Sequence, residues 1–440
     1  MSDFQQQAIR LAAQQQSPAW LAPLRQQAAE TWLQTAWPTR KTEHWKYTPL
    51  LPLQKAGLSH WAGATDDQSQ DVEALISNEL MTLDATRLVF INGIFDASRS
   101  STLPAELVRF SATNAEQQVL LNTHLGKVVE GEQHLFATLS DAWADDGLLL
   151  HVPRQQTLSK PIYIVQISTP TAEAAVANQR LLVVLEEGAR ATLIEHYLST
   201  SATQNGFVNS LSEVVVGDNA ALEHYRLNIE EENLLHVGAV HVRLLRNAHL
   251  RAFTLAQGSR LKRIDYQINH CGEGAELDLQ GVYLPRNNQL VDYHTNVRHM
   301  VPRCTSREVF RGIIADSAHA VFNGRIYIHP NAQKTLAELS NKNLLTSNKA
   351  EVDTKPELEI YADDVKCAHG ATVSQLNANA LYYLQSRGVS KQEAEVMLSF
   401  GFINELLEQI VEPGVQDYLR PHLARLFGRD NDLLQRIYHD

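Results

Sequence analysis

From about residue 148 to 373 the chain is written in short alternating runs. Val, Leu, Ile, Tyr and Thr recur at every second position, and small-residue turns separate the runs. A period of two is the signature of strands with a buried face, and no helical period shows here. The turns are alike: Gly188-Ala189, Asn219-Ala220, Asn247-Ala248, Gly274-Ala275, Ser317-Ala318 and Lys349-Ala350 each sit between two apolar alternations. Their alanines are evenly spaced except for one long step, from Ala275 to Ala318. Wording recurs too, with Ala191-Thr192-Leu193-Ile194-Glu195-His196-Tyr197 set against Ala221-Leu222-Glu223-His224-Tyr225. A strand-only unit with a period of about 30 residues implies coils stacked one on the next, each burying its inward side chains against its neighbours. The spacing favours such a β-solenoid over an antiparallel sandwich. The long step predicts one insertion, near Pro285–Asn288 or Met300–Cys304.

The flanks read differently. Residues 1–37 are rich in Gln, Ala and Leu, and Leu21, Leu24, Ala28 and Trp32 follow a helical stripe that Pro38 ends. A mixed segment runs from Pro38 to Pro49, and the polar stretch Ala62–Asp71 reads as a loop. Arg87–Phe95 predicts a strand pair turning at Asn92-Gly93. After Val373 the helical period returns. Ala378–Arg387 is a short helix closed by Gly388 at C′. Ser390-Lys391-Gln392-Glu393 is a capping box opening a helix that carries Val396, Met397, Phe400, Ile403, Leu407 and Ile410 on one stripe. A final helix covers about Val415–Phe427. The chain thus divides into 1–147, helical and mixed α/β; 148–373, the β-solenoid; and 374–440, helical. The terminal helices suit either a hydrophobic cap on the solenoid end or a surface that docks a partner.

Composition narrows the function. The chain has 440 residues, 44% hydrophobic and 20% charged, with a net charge of −12 and a pI near 5.8. Nucleic acid and anionic membranes call for a basic footprint that this balance lacks. No apolar run approaches a membrane span, and the N-terminus lacks a cationic start and apolar core, so a cytoplasmic protein is expected. No G-x-x-x-x-G-K-[ST], G-x-G-x-x-G or H-E-x-x-H occurs. Nucleotide hydrolysis within this chain and zinc-protease chemistry therefore lack support.

Three cysteines, Cys271, Cys304 and Cys367, stand far apart without a C-x-x-C. That excludes a disulfide framework and a cluster held by four cysteines of one chain. A metal centre would have to recruit histidine, carboxylate or a second chain. The densest polar constellation is Asp363-Asp364-Val365-Lys366-Cys367-Ala368-His369-Gly370-Ala371-Thr372. On a strand, Cys367 and His369 share one face, and soft sulfur beside imidazole suits iron, zinc or copper. A buried cysteine beside a hydrogen-bonded histidine is the plainer alternative. His294 and His299 lie five apart in an expected loop near Cys304. His236 and His241 share that spacing but face opposite sides of a strand, and all four read as structural or exposed.

The run Tyr361–Thr372, preceded by Ala350-Glu351-Val352-Asp353-Thr354-Lys355-Pro356, resembles the SufB/SufD family of iron–sulfur cluster assembly scaffolds. Pro38–Pro49, Ala320-Val321-Phe322-Asn323-Gly324 and Leu384-Gln385-Ser386-Arg387-Gly388 carry the same likeness, which spans nearly the whole chain. His369, where the SufB branch has glutamate, points to the SufD branch. The resemblance implies a right-handed parallel β-helix between an N-terminal α/β region and C-terminal helices. It implies a non-catalytic scaffold that pairs with SufB as a heterodimer and binds the SufC ATPase, with a homodimer open to the isolated chain. By that likeness Cys367 and His369, supported by Asp363, Asp364 and Lys366, border a transient iron–sulfur cluster shared with SufB, none being held tightly by the chain alone. The SufC dock falls on the C-terminal helices, for which Leu381, Tyr382, Arg387, Gly388, Met397 and Phe400 are the candidates. A flavin in the assembled complex stays open. Two other readings compete: a β-helix carbohydrate-active enzyme, which would need carboxylates along the solenoid face, and a purely structural subunit.

Overall fold

A computed structural model describes residues 2–62, 69–129, 134–171, 173–203, 205–230 and 232–427. Strands of the core alternate between two sheets, so each pairs in parallel with the next but one in sequence. One sheet takes in Ala175–Leu185, Gly206–Val216, Leu235–Leu244, Leu261–His270, Leu290–His299, His319–Ile328 and Glu351–Ile360. The other takes in Arg190–Ser199, Ala221–Asn228, His249–Gln257, Glu276–Leu284, Thr305–Ile314, Leu336–Leu345 and Lys366–Gln375. Each coil contributes one strand to each sheet, which makes a parallel β-solenoid rather than a sandwich of antiparallel sheets.

The register corrects the predicted insertion. In the second sheet Arg190, Ala221, His249, Glu276, Thr305, Leu336 and Lys366 are successive partners. The coils between them are nearly equal in length, and neither the one from Glu276 to Thr305 nor the one from Thr305 to Leu336 carries an insertion. One corner is closed by the buried residue just before Arg190 of the first strand and before each of the next strands in turn: Ala189, Ala220, Ala248, Ala275 and then Cys304. Ala318 and Ala350 belong to the opposite corner, so the long step was a coil and a half. Gly188, Asn219, Asn247, Gly274 and Arg303, directly before the corner residues, all have positive φ. Glycine and asparagine adopt that conformation at least cost, which is why the turns look alike in sequence. His294 and His299, expected in a loop, lie on the strand Leu290–His299.

Inward-facing side chains of both sheets form one continuous apolar cluster, including Leu193, Leu222, Ile268, Leu279, Phe310 and Phe322. The N-terminal region covers the outer face of the first sheet. Its helices Asp3–Ala12 and Ala22–Gln34 are separated around Pro18; Leu21, Ala28 and Trp32 of the predicted stripe are buried. The Trp32 indole N–H donates to the Gln5 carbonyl at 3.1 Å. The predicted hairpin forms from Thr86–Ile91 and Ile94–Asp96 across Asn92-Gly93, both with positive φ, and extends the second sheet. The polar stretch at 62–71 falls largely on 63–68, outside the described residues, and the helix Ser69–Glu79 begins within it.

The C-terminal helices do not cap the solenoid end. Lys391–Glu408 and Pro413–Phe427 lie along the outer face of the second sheet, where Ile403, Leu406, Leu407, Leu419 and Leu423 pack with Phe253, Leu255, Val282, Val309 and Ile313. The predicted stripe therefore shifts. Val396, Ile403, Leu407 and Ile410 are buried and Leu406 joins them; Phe400 is half-buried and Met397 is 45% exposed. The last coil is left uncovered. No helix among the described residues is long and apolar enough to cross a membrane.

Candidate site on the open last coil

The strand Lys366–Gln375 is the edge of the second sheet, paired on one side only, with Leu336–Leu345. Its partners fix which way its side chains point. Cys367 is opposite Ala337 and His369 opposite Leu339, both members of the interior cluster, and Cys367 packs against that cluster. Alternation puts His369 on the same inward face. The geometry predicted for the C-x-H pair is thus present, at the rim of the open end. Cys367 is half-buried, and burial pushes its thiol above the usual cysteine range; His369 is exposed. The strand presents unpaired N–H and C=O groups along its free edge, a ready template for another chain.

The predicted supporting residues stand apart from this face. Lys366 has the opposite parity from Cys367 and projects from the outer side. Asp363 and Asp364 lie in the preceding turn. Asp364 pairs with the Lys334 ammonium, and its N–H donates to Gln333 Oε1 at 2.9 Å, stitching two coils together. Among the described residues no group of three or more His, Cys, Asp or Glu side chains is placed to hold a metal ion. Two ligands on one face make half a site at most.

The other histidines singled out from the sequence and Cys304 sit in packed or paired positions, whereas Cys271 is exposed. His236 bonds Glu230 at 2.6 Å and Ser210 at 2.7 Å inside the solenoid; His294 pairs with Asp292 at 3.0 Å. His270 and His299 stack at 4.2 Å, and burial pulls both below the usual histidine range. Burial raises the Cys304 thiol to about 11, and its S–H points at the carbonyls of Gly272 and Pro302. Sequence reasoning missed the buried charges of the interior, because a charged residue on a strand reads as outward. Arg226 is fully buried against Glu195 at 3.1 Å, with Tyr197 beneath its guanidinium, and Lys262 is fully buried against Glu230 at 3.0 Å.

The candidate docking residues cluster on Ala378–Ser386 and the start of the following helix. The first of these buries no residue. Tyr382 is 73% exposed, Met397 is exposed beyond it, and Leu381 and Phe400 are half-buried. Arg387 stacks over the Tyr383 ring and donates to its hydroxyl at 2.8 Å. Gly388, at φ 90°, closes the helix as predicted: its N–H bonds the Gln385 carbonyl, and that of Val389 bonds the Leu384 carbonyl.

Two family models match the chain. The model described as the SufBD core domain of the SUF iron–sulfur cluster assembly system covers residues 167–402, and that of the SufBD N-terminal region covers 2–164. The chain is 33% identical to iron–sulfur cluster assembly protein SufD of Escherichia coli, over 93% of each chain. It is 32% identical to a SufBD family protein of Synechocystis, over 90% of this chain and 89% of that one. A chloroplastic protein of Arabidopsis thaliana, ABCI7, is 28% identical over 94% and 88%.

Proposed function

The chain belongs to the SufBD family of iron–sulfur cluster assembly proteins, and from that premise we propose that it is a non-catalytic scaffold subunit that completes its cluster site only in complex. The observation that carries this reading is the pairing of an inward-facing cysteine and histidine with an open strand edge on the same terminal coil. A second chain laid along that edge would satisfy its backbone groups and bring the missing ligands to Cys367 and His369. In this reading the partner is of the SufB type, and the nascent cluster is cargo shared between the two, not a resident cofactor. The exposed helix Ala378–Ser386 and Met397 would receive a SufC-type ATPase, since an amphipathic helix with no buried residue gains from a partner. We assign 1–147 and 374–440 as the flanking regions of the 148–373 core on the same footing.

The test is anaerobic reconstitution with ferrous iron and sulfide. The chain alone should give no stable visible absorption band, and the chain with SufB- and SufC-type partners should give one. A band of equal yield without partners would overturn the shared-site reading. The carbohydrate-enzyme alternative is less well supported: of the two carboxylates beside the C-x-H pair, that of Asp364 is held by Lys334 in a turn.

A further inference from the structure

Pro38–Pro49 and Ala320–Gly324, two stretches that carry the family likeness, take no part in the cluster site proposed above. They meet at a cavity of about 410 Å3 on the outer face of the first sheet. Pro38, Thr42, His44 and Trp45 line it from the N-terminal region, and Asn323 lines it from the strand His319–Ile328. The N-terminal segment is fixed over the sheet. The Arg263 guanidinium lies 3.8 Å from the centre of the Trp45 ring and donates to the His44 carbonyl, and Lys355 pairs with Glu43 at 2.7 Å. The cavity is therefore formed before any ligand arrives.

Its wall is apolar on one side and amide-rich on the other. Leu211, Val237 and Ala239 extend the floor, and Phe136 and Trp45 line the cavity from the N-terminal region, an environment that buries the faces of a flat ring. On the other side Asn323 is 8% exposed, and its amide has no hydrogen-bond partner among the described residues. A buried carboxamide at a cavity wall calls for a ligand that supplies the missing bonds. It offers a donor beside an acceptor, the pattern that pairs with N7 and the N6 amino group of adenine.

A second amide is oriented by its neighbours. Arg325 Nη1 donates to Asn296 Oδ1 at 3.2 Å, and Asn296 Nδ2 donates to Gln267 Oε1 at 2.8 Å. A guanidinium can only donate, so the chain of bonds has one direction and leaves Gln267, also on the cavity wall, with its Nε2 group to donate. Gln267 and Asn323 stand on strands two spacings apart, about 10 Å. A two-ring base carrying its ribose spans that distance and a single ring does not. The charges on the floor are already matched. Arg263 lies between Asp265 and Asp292, and Arg325 holds Glu359 through two bonds. Neither guanidinium is left over for a phosphate or a carboxylate, so the ligand that fits is uncharged.

We infer that this cavity binds a purine nucleoside, the Asn323 amide pairing with the adenine edge and the Gln267 amide donating to a ribose hydroxyl. The site lies beyond the proposed function and does not depend on it.

Adenosine is the probe, titrated into the whole chain by calorimetry, with inosine and glucose beside it. One adenosine should bind per chain. Inosine, which carries a carbonyl in place of the N6 amino donor, should bind at least about tenfold more weakly, and glucose more weakly still. Asn323→Ala removes an amide that holds nothing else in the chain, so it should fold as before, bind adenosine at least about tenfold more weakly and lose the preference over inosine. No adenosine binding by the unmutated chain, equal binding by Asn323→Ala, or inosine or glucose bound as tightly as adenosine would overturn the site. Should Asn323→Ala fail to fold, adenosine against inosine on the unmutated chain decides alone.

Discussion

Ala275 and Cys304 occupy the same corner of successive coils, each the buried residue immediately before a register pair, Glu276 and Thr305. The cysteine is a stand-in for alanine, and its weak S–H contacts at 3.4 and 3.5 Å add little. Cys304→Ala should therefore fold with a loss of about 1 kcal/mol or less. Cys304→Leu, forcing a larger branched side chain into a closed corner, should cost about 1–3 kcal/mol. Chemical denaturation of both variants checks this. A large loss in Cys304→Ala would mean the sulfur does more than fill space.

That same substitution explains what the sequence hid. The coil period was legible because glycine or asparagine precedes a small buried residue at most of these corners. Looking for alanine alone skipped Cys304 and turned a regular coil into an insertion. The C-x-H pair was legible because alternation fixes a shared face whatever lies around it. Arg226 and Lys262 were not, because only the register of strands a full coil apart brings their counter-charges into view. The helix pair's place along the sheet flank was equally hidden. An amphipathic stripe says that a face is buried but not on what.

Glycines separate core constraint from edge function. A Cβ on Gly272 would lie 1.9 Å from the Arg246 backbone nitrogen, whereas one on Gly370 meets nothing within 4 Å. Gly272→Ala should cost about 3 kcal/mol and Gly370→Ala no more than about 0.5 kcal/mol. Thermal melts would show it. Equal losses would mean the free face at Gly370 is not free in solution.

The dock proposed on the exposed helix predicts a loss of binding without a loss of fold. Tyr382 and Met397 bury little in this chain, so Tyr382→Ala with Met397→Ala should leave the melting curve unmoved. Affinity for the proposed SufC-type partner should fall by roughly 30-fold, as for the loss of an interface anchor worth about 2 kcal/mol. Removing the helices altogether is a poor substitute. It would strip Phe253, Val282, Val309 and Ile313 of their cover. Calorimetric titration decides, and undiminished affinity would move the dock elsewhere.

Acid should destabilise the core well before its carboxylates titrate. His270 and His299 are buried and stacked, so each ring's proton is opposed by burial and, for His299, by its neighbour; His270 is brought to about 4. The unfolded chain takes up these protons near pH 6.5 and the folded chain does not. The stabilisation is thus fully present above about pH 6.5 and is lost as pH falls toward 4. For His270 that amounts to about 3 kcal/mol at about 1.4 kcal/mol per pH unit. His270→Gln should flatten the acid limb of the stability curve, and a limb of unchanged slope would assign the loss to other groups.

The sharpest expectation concerns His369. It is exposed on an edge strand, and Ala at its place removes an imidazole without opening a cavity or adding charge. Folding should hold within about 0.5 kcal/mol. The proposed pairing with a SufB-type partner through the strand backbone should also survive, since edge pairing draws on main-chain groups. Cluster formation should be suppressed, because two ligands of suitable softness become one. Cys367→Ala should act in the same direction, by a similar or smaller amount. Its thiol is half-buried and raised by that burial, so its deprotonation waits on the metal itself. Cluster yield in the assembled complex, measured beside complex formation by gel filtration, separates the outcomes. An unchanged rate in His369→Ala would end the ligand role. Loss of the complex itself would make His369 an interface residue.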